Sequence, residues 1–458
     1  MRTVSAAPGR ALRGARGLRR SRVGAVLCLA LLCSVGSGVS GAAPAPHPPA
    51  PVSHPLNLAR ALHLALAYQP GLRADASLAR AGGFGVRARR GVLFPQLSVQ
   101  AGDVYAGTDN GTPWFAAANG RREFTSLVVL RQRLFDPAAT AAVDAARAEA
   151  AFVRYRLLRN RLDVAAAVTR AYYDLQVAQA AQRVWSRAVR INRTVVDATR
   201  RAVTAGGRAR IDLLRARAAL RSAVGALEQT QARVNGARRL LGLMTGLAPL
   251  PPLAATDLSP AALTLPARAR VEAAALRGQP ALRMAESRER RQAALVRQAR
   301  GARLPRVGVR AAYGWDTLQR PRGGNLGWSA GLELSMPLFA GGTLRAREDA
   351  ARAGQRAASE RYRQARLRVR EAVATAWSNA RAALAAYRSA SALSRTEEAI
   401  WHDSEAGYRA GRMGGLALFL AQQNWLDTRL RRLRAGARLR MALARIDLLA
   451  GRLPGGGS

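Results

Sequence analysis

The chain reads as a mixed α and β membrane protein: long coiled-coil helices carry short strand pairs, and the whole order of elements occurs twice. Three observations predict this. No Gly or Pro occurs between Ala138 and Ala205, so nothing stops a helix that, at ~1.5 Å per residue, would run ~100 Å. Four stretches alternate apolar and polar residues over ~9–11 positions, the length a tilted strand needs to cross a bilayer. Finally, Pro70-Gly-Leu-Arg-Ala recurs as Pro280-Ala-Leu-Arg-Met, and Phe94-Pro-Gln-Leu-Ser-Val as Leu304-Pro-Arg-Val-Gly-Val, both at an offset of 210.

Taken in order, the chain opens with Arg2, Arg10, Arg13, Arg16, Arg19, Arg20 and Arg22, then an apolar run from Val23 to Val35, then Ser37, Ser40 and Ala42. Residues 1–42 are expected to be a secretory signal peptide cleaved after Ala42. Cys28 and Cys33, the only two cysteines, lie inside that run without the small residue that a lipid-attachment site needs. The mature chain is then expected to hold no disulfide. Residues 43–55, rich in Pro and carrying His47 and His54, read as a linker.

The first repeat is placed at 56–247. Its first helix spans Leu56 to Leu93 and ends before Pro95. Strands follow at about 97–105 and 125–134. The long helix, 138–205, presents Leu158, Leu162, Val168, Tyr172, Leu175, Trp185, Val189, Val196 and Val203 at spacings built from threes and fours, a coiled-coil seam. Gly206 ends it, and a further helix covers Arg208 to Gly242. Residues 248–269 form a linker before the second repeat at 270–452. There the strands lie at about 307–315 and 326–336, and the long helix at 344–410 ends at Gly411. Residues 453–458 are a tail. Matches after the strands fall at offsets of 204 and 205, so the second half lacks six residues of one surface loop.

Each strand pair has one apolar face. Val307, Val309, Ala311, Tyr313 and Trp315 interleave with Gly308, Arg310, Ala312 and Gly314, while Leu326, Trp328, Ala330, Leu332 and Leu334 interleave with Gly327, Ser329, Gly331 and Glu333. Tyr313, Trp315 and Trp328 fit an aromatic girdle facing outer membrane lipid. Four strands cannot close a barrel, since bacterial barrels begin at ~8; three chains would supply twelve and leave no strand edge open in lipid.

The formal charge is +45, and all 73 basic residues are Arg. They are dispersed among alanines, without the clustered stacking aromatics of a nucleic-acid site, so no nucleic-acid partner is expected. Without Lys there is neither a P-loop nor a Schiff base. His63 is isolated, and His402 with Glu405 is a lone helical pair. No catalytic group, cofactor or metal set is expected, and the chain does not read as an enzyme.

In this order the landmarks resemble the TolC-type outer membrane efflux proteins, or outer membrane factors. They are Leu56-Asn-Leu-Ala-Arg-Ala-Leu with Pro70, Phe94-Pro-Gln-Leu, Ala171-Tyr-Tyr-Asp-Leu, Met336-Pro-Leu-Phe-Ala-Gly-Gly and Tyr408-Arg-Ala-Gly-Arg. The resemblance implies a homotrimer in which a long antiparallel α-helical coiled-coil barrel continues a β-barrel with four strands contributed per chain. It implies an outer membrane location in a Gram-negative bacterium with a periplasmic extension, and as partners a periplasmic adaptor (membrane fusion) protein and an inner-membrane pump. Transport would be passive, with cargo chosen by the pump. By the same resemblance Asp197, Asp212, Tyr408 and Arg412 form a periplasmic gate near the helix-turn glycines Gly206 and Gly411. The acidic ring that some members carry after the second glycine falls here on Ala417 and Leu420. The Arg excess further predicts a lumen less cation-preferring than one lined by acids. The rival reading is a periplasmic coiled-coil adaptor or scaffold without a pore, which leaves the alternating strands without a role.

Overall fold

The structure, a computed structural model, describes residues 55–105, 122–254, 264–316 and 326–454. The expected signal peptide with its two cysteines, and His47 and His54, lie outside the described residues. The elements run α1 (Leu58–Tyr68), α2 (Pro70–Gly91), β1 (Gln96–Tyr105), β2 (Arg122–Phe135), α3 (Pro137–Thr204) and α4 (Arg210–Thr245). They continue α5 (Arg268–Gly278), α6 (Pro280–Gly301), β3 (Arg306–Asp316), β4 (Gly327–Ser335), α7 (Thr343–Arg409) and α8 (Gly415–Leu449). Among the described residues no helix is long and apolar enough to cross a membrane.

One helix was expected from Leu56 to Leu93; two are present. Gln69 sits at φ −56° and ψ 115°, off the helical ψ, because the ring of Pro70 crowds the residue before it and Pro70 offers no N–H to continue the ladder. Gln279 before Pro280 does the same at φ −68° and ψ 117°.

α3 is 68 residues long and α7 is 67, each ~100 Å at helical rise. Asp136 starts α3: its Oδ1 accepts the Ala139 N–H at 2.9 Å, and its Oδ2 accepts from Arg133 at 2.7 Å. Along the seam Val168, Tyr172, Leu175, Val189 and Val196 are buried, whereas Leu158 is 39% exposed. Each buried apolar side chain contributes ~1.5–3 kcal/mol, so the middle and lower coil carries most of this helix's packing within one chain. Two ring donors pin the midsection. The Tyr172 hydroxyl donates to the Leu56 carbonyl at 3.3 Å, and Trp377 Nε1 donates to the Pro266 carbonyl at 3.0 Å. Both carbonyls belong to the segments that lead into α1 and α5.

Nearer the strands, α6 is held by carboxylates on both neighbours. Arg291 reaches Glu149 and Arg297 reaches Asp144 on α3, each at 3.2 Å. On α7, Glu348 accepts from Arg300 at 2.9 Å and Arg352 at 2.6 Å, and from Arg303, just beyond α6, at 3.0 Å. The Glu348 side chain is 5% exposed, but its cover is those three half-exposed arginines rather than apolar core. Their hydrogen bonds, Arg300 first and then Arg303, hold its carboxyl below the usual range.

The four strands form one antiparallel sheet in the order β1-β2-β3-β4, so β1 and β4 are its edges. Register sets which residues share a face: Val99 opposes Val128, Val128 opposes Tyr313 and Tyr313 opposes Trp328. Leu97, Val99, Trp328, Leu332 and Leu334 on that face are each at least 72% exposed, while Val129 on the other face is wholly buried. The apolar face is therefore the open one, and the opposite face carries Ser98, Ala312, Ser329, Gly331 and the arginines of β2 and β3.

Candidate functional site

Two places in the molecule combine unusual geometry with charge: the turns between the long helices and their successors, and the sheet. Both turns are built alike. Gly206 and Gly411 adopt φ of 71° and 72°, a left-handed conformation that an L side chain resists. The next N–H reaches back in each case, Gly207 to the Ala202 carbonyl and Arg412 to the Gly407 carbonyl, both at 2.9 Å. That bond closes the helix C-terminus and sends the chain into α4 or α8.

Tyr408, in the last turn of α7, is held from two sides. Its hydroxyl lies 3.0 Å from Thr199 Oγ1 on α3, and the Arg208 guanidinium stacks over its ring at 3.9 Å from the centroid. Asp212 stands in the first turn of α4, where a negative charge suits the helix N-terminus. It is 3.9 Å from Arg215 and packs against Gly415, where an added Cβ would sit 3.4 Å from its Oδ1. Tyr408 and Asp212 line one cavity of ≈ 30 Å³ with Asn192, Thr199 and the buried Gln422, a volume suited to a single water and far below that of a cargo site. Asp197 is exposed and pairs with Arg200 on its own helix at 3.6 Å. Arg412 is also exposed. Within the chain, then, Tyr408 and Asp212 come together while Asp197 and Arg412 point outward.

Sequence reading missed Thr199 and Arg208. The Thr199–Tyr408 contact joins residues 209 apart, and no local pattern announces it. Just below, Trp401 and Trp425 stack at 5.7 Å, with Arg187 and Arg429 at 5.8 and 5.5 Å from the Trp425 ring centroid. This pair locks α7 to α8 immediately behind the turn.

On the sheet, Tyr313 and Trp328 are direct cross-strand partners, and Trp315 lies two residues further along β3. All three stand on the apolar face, toward the end away from the helices, with Tyr313, Trp328 and Trp315 respectively 54%, 78% and 44% exposed. Among the described residues no group of His, Cys, Asp and Glu could hold a metal ion. His63 and His402 are exposed, and Glu405 is engaged by Arg409 at 2.6 Å.

Comparison with known proteins adds the context. The family model described as "Outer membrane efflux protein" matches residues 61–247 and 273–452. Protein CyaE of Bordetella pertussis is 31% identical over 418 residues, covering 89% of this chain and 86% of that protein. Among solved structures, the open state of the MtrE outer membrane channel of Neisseria gonorrhoeae superposes with a TM-score of 0.73 at 22% identity, covering 86% of this chain and 89% of that one. The outer membrane protein VceC of Vibrio cholerae gives 0.73 at 18% identity, covering 86% and 96%.

Proposed function

This chain belongs to the outer membrane efflux protein family and is an outer membrane channel with a periplasmic helical extension; from that premise we propose that three copies pool their strands into one twelve-stranded barrel over a common helical tunnel. The observation that carries the reading is the sheet. Its apolar face exposes Leu97, Val99, Trp328, Leu332 and Leu334, and among the described residues each edge strand is paired on one side only. In lipid an open strand edge costs several kcal/mol for each unsatisfied backbone group, and three symmetric copies remove every edge at once. The duplicated order of elements, with α1 and α5 of 11 residues and α2 and α6 of 22, supports two equivalent repeats per protomer and so a pseudo-sixfold tunnel wall. Tyr313, Trp315 and Trp328 then lie in the outer aromatic girdle.

Solutes move passively through this conduit, with an adaptor and an inner-membrane pump supplying selection and energy at the helical end. The gate lies at the turns. Tyr408, clamped by Thr199 and Arg208, and Asp212 brace each protomer internally, while the outward Asp197 and Arg412 are offered to its neighbours. The test is single-channel recording from the purified protein in planar bilayers. Native chain should give a low conductance, and Tyr408→Phe combined with Asp197→Ala should raise it. Unchanged conductance would reject the gate assignment. A native protein that never inserts would reject the conduit and favour a pore-free periplasmic scaffold.

A further inference from the structure

Arg131 on β2 and Arg310 on β3 are direct cross-strand partners. Side chains so placed start ~5 Å apart, and like charges in that position repel. Natural sheets avoid the arrangement unless something compensates it. Here neither guanidinium has an ion pair among the described residues, and both side chains are exposed. The row continues through Gln96 on β1 and Gly331 on β4. The Gln96 amide is spent on the Gly91 and Phe94 carbonyls, and an added Cβ at Gly331 would meet nothing within 4 Å, so open space lies beside Arg310.

The neighbouring charges do not neutralise this row. Arg133, two residues along β2 on the same face, is already committed to Asp136 at 2.7 Å. Glu333 opposes Gly308, one row nearer the helices, and forms no ion pair among the described residues. Arg306, on the same face of β3, adds another charge without an ion pair among the described residues. Elsewhere this face carries the small Ser98, Ala312, Ser329 and Gly308 together with Gln100, Leu127 and Val129, so beside Glu333 the arginines are its charged side chains at this end.

We propose that Arg131 and Arg310 form an anion-binding belt inside the barrel, near its helical end, which makes the channel favour anionic solutes. The assignment rests on the trimeric barrel: three chains bring six of these guanidinium groups to one level of the lumen. A solute bearing carboxylate, sulfate or phosphate supplies the missing counter-charge, because the planar guanidinium fork matches two oxygens at once. Rings of Arg or Lys select anions in pores for the same reason. The opposed pair is thereby a binding feature, tolerated in the sheet because mobile anions screen it.

Native full-length channel should show a reversal potential of anion-preferring sign in a KCl gradient, and added sulfate should lower its single-channel conductance. Arg131→Gln with Arg310→Gln should reduce the chloride-over-potassium permeability ratio by about twofold or more and abolish the sulfate effect. Arg131→Lys with Arg310→Lys should retain the preference, and the single Arg131→Gln change should fall between. A Gln variant that conducts normally with an unaltered reversal potential would overturn the belt. Absence of conductance from the native chain would overturn the barrel, a distinguishable failure.

Discussion

Single carboxylates in this molecule act in opposite senses, and pH separates them. Three arginines hold the Glu348 carboxyl below its ordinary value, so its contribution to stability is present above the unfolded value of ~4.3 and is lost as pH falls through the lower folded value. At neutral pH Glu348→Gln should lower the melting temperature followed by circular dichroism at 222 nm, and the gap from native protein should narrow as acidification protonates the native carboxyl. Asp174, lining a cavity with Arg170, Arg438 and Arg445, behaves otherwise: burial pushes its carboxyl up, with Arg170 opposing. Its ionisation works against the fold as pH rises from ~3.9 through the raised folded value. Asp174→Asn should therefore be neutral or slightly stabilising at neutral pH, the effect kept small by solvent screening at this partly exposed site. Equal losses from both substitutions would show that neither carboxylate acts through its protonation.

The elements are governed by a few backbone positions. Gly411 sits at φ 72°, where a side chain costs about 1–2 kcal/mol, so Gly411→Ala should shift the urea midpoint down by that equivalent. Gly207→Ala should not, because Gly207 lacks a positive φ and an added Cβ would sit 3.6 Å from the Ala202 carbonyl, an ordinary contact. Such positions also explain what was readable in advance. α3 was legible because nothing between Ala138 and Ala205 interrupts it, and the strand faces because alternation is a local signal. The break at Gln69 was not, because the helical pattern of Leu56–Leu93 continues across Pro70 and hides the proline's effect. Register was not legible either. Alternation assigns Arg131 and Arg310 to a face, but only the pairing of β2 with β3 sets them opposite one another. Likewise Asp197 and Tyr408 could be placed near the turns, while the bond of Tyr408 to Thr199 required the folded chain.

For the whole molecule the decisive quantity is what the isolated chain leaves uncovered. Leu332 and Trp328, 75% and 78% exposed on an edge strand, would make a soluble monomer prone to associate, whereas in a lipid-embedded trimer the same face is satisfied by acyl chains and the same edge by β1 of the next copy. Leu332→Arg should then cost up to about 2–4 kcal/mol per chain in membrane stability, depending on its depth, while Arg310→Gln on the opposite face should leave assembly intact. The two edges give a direct check. Because the only native cysteines are Cys28 and Cys33, ahead of the proposed cleavage after Ala42, the mature chain accepts engineered thiols without competition. Val99→Cys on β1 together with Leu332→Cys on β4, treated in membranes with a short bis-maleimide, should give covalent trimers on denaturing gels, and either change alone should give none. Products that stop at dimers, or cross-links that form equally with one cysteine, would show that the edges meet in some other assembly and that the barrel is not closed by three chains.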